Sequence, residues 1–370
     1  MPRMITIDDI DDLAIGSTFL GTGGGGDPYV GSLLCKEAIS QYGPVPLVSV
    51  DELPDDANVF SVAGMGAPTV MIEKLFSVEY AHVSVSALEA RLGRTATAII
   101  SAEIGGLNSV TPVAYAAMRR LPIVDADGMG RAFPSIDMTT FNVYGVSCTP
   151  MALSDEHGNV AVFDTKSSKV AEDLARPLVA AMGAATSLSC YPMTGVETKR
   201  ASVRDTVSAA IAIGKAIRSN DNTVLPVDRL LAALKALPYY GRAYRIFDGK
   251  IVDIRRDTSR GWVFGRCAIQ ALDGPSRADI NFQNENIAVR VDGELRAIVP
   301  DLVCIVDRET ALPIPTENLR YGQRVAVIGC SAAPSLRTPG ALACMGPGAF
   351  GETSEYIEIE SLNGSDAKEG

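Results

Sequence analysis

Three carboxylates stand where glycine-rich turns would release them from buried strands. Glu103 lies in Ser101-Ala102-Glu103-Ile104-Gly105-Gly106-Leu107-Asn108, and Asp125 and Asp127 lie in Asp125-Ala126-Asp127-Gly128-Met129-Gly130-Arg131. Carboxylates held close together raise at least one pKa, which suits one of them to general acid–base work near neutral pH. The same oxygens could instead ligate a hard divalent cation, so a metal cofactor stays open. Glu103, Asp125 and Asp127 are therefore the candidate catalytic residues, with Asn108 and Arg131 beside them as candidate substrate contacts. Each acid also has a plainer reading as a helix cap or turn residue, and Arg131 as the neutraliser of a neighbouring acid.

A second chemical feature is Gly21-Thr22-Gly23-Gly24-Gly25-Gly26-Asp27-Pro28. Four consecutive glycines cost backbone entropy and pack no side chain, so a reason is needed. Asp27 suits an N-cap and Pro28 the first helical position, ahead of an apolar periodicity over 29–42. A glycine loop entering a helix presents backbone N–H groups and a positive dipole end, a cradle for an anion or oxyanion. Thr22, Gly23, Gly24, Gly25, Gly26 and Asp27 are candidate substrate-binding residues, as are Glu73 and Lys74 after the turn Gly64–Thr69. Gly21, Gly23 and Gly26 also match G-x-G-x-x-G, with Asp51 at about the right distance, but residues 7–20 read as a helix where that fingerprint needs a strand. A ligand-facing loop, a structural turn and a nucleotide loop are the three readings.

Composition narrows the chemistry. Of 370 residues, 47% are hydrophobic, enough for a sizeable core, and 33 basic residues face 44 acidic ones for a net charge of −11. No basic stripe appears, which argues against nucleic acid, and no apolar run approaches the ~20 residues of a membrane span. The N-terminal stretch turns acidic without a signal-peptide core, and seven scattered cysteines lack C-x-x-C spacing, so the expectation is a cytoplasmic protein with free thiols. Cys148 and Cys190 read as core thiols. The two histidines, His82 and His157, are too few for a histidine-rich dinuclear zinc site, and His157 falls in a polar turn.

The elements that must position these groups follow from patterning. Strands are expected at 47–50, 59–63, 97–102 and 122–124, with helices between them at 69–76, about 79–92 and 107–120. This alternation predicts a largely parallel sheet with helices on both faces and ligands beyond the carboxyl ends of its strands. A strand–turn–strand over 145–163 and helices at 168–182, 203–218 and 228–237 follow, with Tyr191-Pro192-Met193-Thr194-Gly195 as a segment crossing near a pocket. After Pro238, Asp248-Gly249, Asp273-Gly274 and Asp292-Gly293 signal hairpins. The expected division is an α/β domain over 1–237, a β-rich barrel-like domain over 238–333, a return to the α/β domain over 334–360, and a flexible tail over 361–370. The run Asn281–Asn286 reads as a solvated strand edge or a pocket rim.

Taken together, Gly21–Pro28, Gly64–Thr69 with Glu73-Lys74, Glu103–Asn108, Val124–Pro134, Asp155 with Gly158 and Asn159, Phe282–Asn286, Arg337-Thr338-Pro339 and Gly346–Gly351 resemble the family long catalogued as the domain of unknown function DUF917 and tied to S-methyl thiohydantoin desulfurase. The resemblance spans nearly the whole chain. It implies a three-layer α/β/α sandwich domain joined to a smaller β-barrel-like domain. It also implies hydrolysis of an S-methyl thiohydantoin to a hydantoin with release of methanethiol. Leu336 stands where such families typically carry tryptophan in Trp-Arg-Thr. The expected ligand is a small molecule, and the expected partner a second copy of the chain or a hydantoinase-type protein. The alternative is a non-catalytic binder of a small anion or nucleotide that partners a hydantoinase- or oxoprolinase-type enzyme.

Overall fold

The structure, a computed structural model, describes residues 3–66, 70, 77–221, 223–259 and 262–364. The helix expected at 69–76, with Glu73 and Lys74, lies outside the described residues apart from Val70.

The chain builds two large sheets. The first has eight strands: β1 Arg3–Ile5, β2 Val45–Val48, β3 Asn58–Gly66, β4 Ala98–Ser101, β5 Ile123–Val124, β7 Met151–Ser154, β8 Val160–Phe163 and β9 Ala185–Thr194, in the order β1-β2-β5-β4-β3-β9-β7-β8. Only the four neighbours β2, β5, β4 and β3 are joined in parallel; β1, β9, β7 and β8 pair antiparallel. The expected largely parallel sheet is thus mixed. The segment 191–195, read from sequence as crossing near a pocket, falls largely in β9, a central strand of this sheet. Pro192 hides it, because a proline within a run argues against a central strand.

Both faces of this sheet are covered, as strands apolar on both sides require. Phe60, Val62, Ile99 and Ile123 enter one core with helices α1 Ile7–Leu20, α2 Tyr29–Tyr42, α3 Val78–Leu92, α4 Thr111–Arg119 and, further along, α6 Thr206–Arg218. Val59, Ala63, Ala98, Ile100 and Val124 enter the other with α5 Ser168–Ala181. Cys148 and Cys190 are buried in that second core, and all seven cysteines are free thiols. Helix α1 is closed at its start by a capping box of Thr6 and Asp9.

The second sheet is a curled antiparallel one: β11 Ala243–Ser259, β12 Trp262–Ala271, β13 Arg277–Gln283, β14 Glu285–Val291, β15 Glu294–Ile298, β16 Leu302–Asp307 and β17 Arg324–Cys330, ordered β15-β14-β13-β12-β11-β17-β16. Asp292-Gly293 forms the two-residue turn between β14 and β15, both at positive φ. Asp248-Gly249 does not turn. It lies within β11, where a Cβ on Gly249 would stand 2.2 Å from the Gln270 carbonyl oxygen, so glycine is there for close strand approach. The inner residues Val303, Ile305, Val325 and Val327 form the sheet's own core, while Leu302, Cys304, Val306, Ala326 and Ile328 join the core that holds α1. The two units therefore share apolar packing rather than hanging on a linker.

After the second sheet, Tyr144 donates to the Ser335 carbonyl and Cys344 to the Asp137 carbonyl, tying this segment to the first unit. A last short helix, Ile359–Asn363, packs on β15 instead: Asn363 donates to the Arg296 carbonyl, and Ile359 enters the second sheet's core. Residues 361–363 of the expected tail are thus helical, and 365–370 lie outside the described residues.

Candidate active site

The glycine loop is the hinge of the site. It follows helix α1, not a strand, and Pro28 is the N-cap of α2, with the Asp27 carboxylate accepting from the Tyr29 amide. Its glycines answer to contacts on two sides. A Cβ on Gly25 would stand 2.5 Å from the Gly105 carbonyl oxygen, and one on Gly24 would stand 2.1 Å from Glu285 Oε1. Gly23, Gly25 and Gly26 also sit at positive φ, which side chains resist. The loop is stitched to the second sheet's unit as well: the Asn286 amide donates to the Thr22 carbonyl, and the Thr316 amide and hydroxyl donate to the Gly23 carbonyl.

A cavity of about 320 Å³ opens at this seam. Its walls include Gly24, Gly25, Gly26 and Asp27 from the loop, Glu103 and Asn108 beyond the end of β4, Phe133, Arg176 of α5, and Arg256, Asn284, Glu285 and Glu317 from the second unit. The volume suits a small ring rather than a dinucleotide.

Glu103 is 9% exposed. Burial pushes its carboxyl up to about 8 and the Asp127 charge adds to this, while bonds from Asn108 and the Phe133 amide favour the charged form. Asn108 Nδ2 donates to Glu103 Oε1 at 2.7 Å, and Asn108 Oδ1 accepts from the Gly64 amide at 2.7 Å. Asn108 thereby fixes Glu103 to the end of β3. Glu285 is 3% exposed and burial raises it to about 8 too, with the Glu103 charge the next cause. Its Oε2 is buried without a hydrogen-bond partner among the described residues. Two carboxyl groups thus oppose each other's ionisation, and the group with the orphan oxygen is the one suited to hold a proton. Sequence reading missed Glu285; the run Asn281–Asn286, read as edge or rim, was the available signal.

The two aspartates do not line the cavity. After β5 the chain turns so that β6 Ala126–Asp127 pairs with β10 Val203–Arg204. This delivers Asp125 to the first turn of α6, where its carboxylate accepts from the Ser208 amide and hydroxyl. That is the work of a helix cap. Asp127 is fully buried, and its carboxylate accepts from the amides of Ile104, Met129 and Gly130. Burial pushes its pKa up to about 7, against those bonds. Held this way, Asp127 positions the residue next to Glu103 and does not reach a substrate.

Arg131, expected to touch substrate or balance the acids, is an internal clamp. It is 0% exposed, burial pulls its pKa down to about 10, and all five donors are used. They reach the carbonyls of Ala132, Pro300, Asp301 and Asn286 and the hydroxyl of Thr22. Thr22 is correspondingly buried as its acceptor, away from the cavity lining. Gly23 is likewise packed against Asn286 and Thr316. Arg337 of the Leu336-Arg337-Thr338 stretch is also structural, bridging buried Asp301 and Glu360. His157 is exposed in its turn. Among the described residues, no group of three or more His, Cys, Asp or Glu side chains is arranged to hold a metal ion. Nor is any described helix long and apolar enough to cross a membrane.

Comparison with known proteins covers nearly the whole chain. Residues 8–165 match a family model described as "S-Me-THD-like, N-terminal domain", and residues 166–359 one described as "S-Me-THD-like, C-terminal domain". The chain is similar to a protein of Chromobacterium violaceum whose X-ray crystal structure is known: 25% identity, TM-score 0.80, covering 96% of this chain and 100% of the other. No curated protein matches. The division at 165/166 falls between β8 and α5, not between the two sheets, because β9 inserts into the first sheet between β3 and β7.

Proposed function

The chain belongs to the S-Me-THD-like family, and on that premise we propose that it is a hydrolase that converts an S-methyl thiohydantoin ring to a hydantoin and methanethiol. The observation that carries this reading is the pair Glu103 and Glu285, two buried carboxyl groups raised to about 8 on the walls of one small cavity. Ring carbon 2 carries the S-methyl group and a C=N bond. Glu103, bonded as carboxylate by Asn108, takes a proton from water as its oxygen attacks that carbon. Glu285, keeping its proton, gives it to the ring nitrogen as the C=N bond opens. The tetrahedral intermediate then re-forms a carbonyl, the C–S bond breaks, and the thiolate leaves and is protonated. Of the two water protons, one taken by Glu103 and one left on the hydroxyl of the intermediate, one protonates the thiolate and the other restores Glu285, so both carboxyl groups return to their starting states and no oxidant or reductant is consumed.

The anion-binder alternative meets a cavity lined by four carboxyl groups, Asp27, Glu103, Glu285 and Glu317, against two guanidinium groups, which disfavours a phosphate. The test is direct. Pure protein is incubated with S-methyl thiohydantoins bearing different ring substituents, and free thiol is measured. Thiol release above the buffer rate is expected; a folded protein that releases none across the panel would end the reading.

A further inference from the structure

Besides Glu103 and Glu285, the cavity carries a second polar pair that the proposed chemistry does not use. Arg256 spends Nε and Nη2 on the Thr316 and Leu319 carbonyls, which locks the guanidinium plane, and its Nη1 has no acceptor among the described residues. Glu317, one residue beyond Thr316, has a buried Oε1 with no hydrogen-bond partner among the described residues. Both line the cavity. Thr316 ties this wall to the rest of the site, since its hydroxyl donates to the Asn284 and Gly23 carbonyls, beside Glu285 and Gly24. A fixed donor and an orphan acceptor therefore share a wall stitched to the reacting groups. A buried acceptor without a donor is costly, and a ligand that supplies one recovers that cost.

Resting on the thiohydantoin reading, we infer that Arg256 and Glu317 recognise the amide edge of the ring, Arg256 donating to the carbonyl oxygen at ring carbon 4 and Glu317 accepting from the adjacent N3–H. The preferred substrates are rings unsubstituted at N3. A site built around a polar pair rejects an analogue that cannot complete it far more strongly than it rejects a bulkier apolar group.

Calorimetric binding of hydantoin and 3-methylhydantoin tests this without turnover. Wild-type protein is expected to bind hydantoin at least ~10-fold more tightly, the scale of one buried hydrogen bond lost. Glu317→Met is expected to bring the two within ~3-fold while binding of 3-methylhydantoin holds, since only the polar discrimination is removed. Equal binding of both rings by wild type, binding of neither, or a folded Glu317→Met that keeps the preference would each overturn the inference. The wild-type comparison decides alone if the variant fails to fold. Thiol release without N3 preference would sink this inference and spare the hydrolase reading; N3 preference without thiol release would do the reverse.

Discussion

Two acidic regions lie side by side, and they differ in who satisfies them. Asp127 is fully buried and gives its carboxylate oxygens to three backbone amides. Glu103 and Glu285 are almost as buried, yet among the described residues Glu103 takes one side-chain bond and one from the Phe133 amide, and Glu285 has an oxygen with none. All three have pKa values raised by burial. A raised pKa alone therefore does not separate a site acid from a structural one. What separates them is unspent hydrogen-bonding capacity beside a cavity.

The contrast can be broken most sharply at the cavity. Glu285→Gln and Glu103→Gln are each expected to fold and to lower thiol release by ~10²-fold or more, the scale of losing a general acid or base. Turnover and melting temperature measured on one preparation decide it; normal turnover in a folded variant would move that residue to the structural group. Asp127→Asn should behave oppositely. Turning an amide NH₂ toward three backbone donors should cost ~2–4 kcal/mol of stability, the scale of charged buried hydrogen bonds, read by denaturant unfolding. If Asp127→Asn unfolds like the parent, the three amide bonds are not its role.

A smaller effect is expected from Gly24→Ala. The added methyl meets Glu285 Oε1, so the acid must shift, and turnover should fall ~10-fold or more. Retained turnover would show that Glu285 has room to move without consequence. Next comes pH. Glu103 and Glu285 stand near 8 in the folded chain, above the ~4.3 of an unfolded glutamate. Their protonated forms therefore favour folding: that stability is complete below about pH 4 and is lost as pH rises through about 8. Urea unfolding from pH 5 to 9 should show this decline, and the double Gln variant should flatten it; an unchanged slope would place the titration elsewhere. Turnover should also fall above about pH 8 as Glu285 loses its proton. The smallest effect is at His157→Ala, where stability should change by less than ~0.5 kcal/mol with turnover unaltered, as for an exposed turn residue; a loss of activity there would point to chemistry outside the cavity.

Much of the fold was legible in the residues. Helices α1 and α2 start and stop where Thr6, Pro28 and Gly43 punctuate them, because capping is local chemistry. β3, β4 and β5 lie within a few residues of their apolar runs. What misled was β9, where Pro192 interrupts the strand pattern, and Asp248-Gly249, where a hairpin signal serves close strand packing. In the site, Glu103 and Asn108 could be chosen because a strand end and a glycine turn sit beside them in sequence. Glu285 could not, for its importance comes from contact with Gly24, 261 positions earlier.

By itself, then, the sequence determined the glycine loop before α2, the α/β unit followed by an antiparallel β-rich one, and a carboxylate after β4. These depend on periodicity, caps and turn residues, all read within a few positions of the chain. Only the tertiary structure decided which acids face the cavity. The pairing of β6 with β10 sends Asp125 to the start of α6, Arg131 is consumed by carbonyls from the second unit, and Glu285 and Glu317 arrive from that unit. The physical reason is that an acid's role depends on which donors reach it and how much water remains. Both are fixed by chain segments distant in sequence that burial brings together.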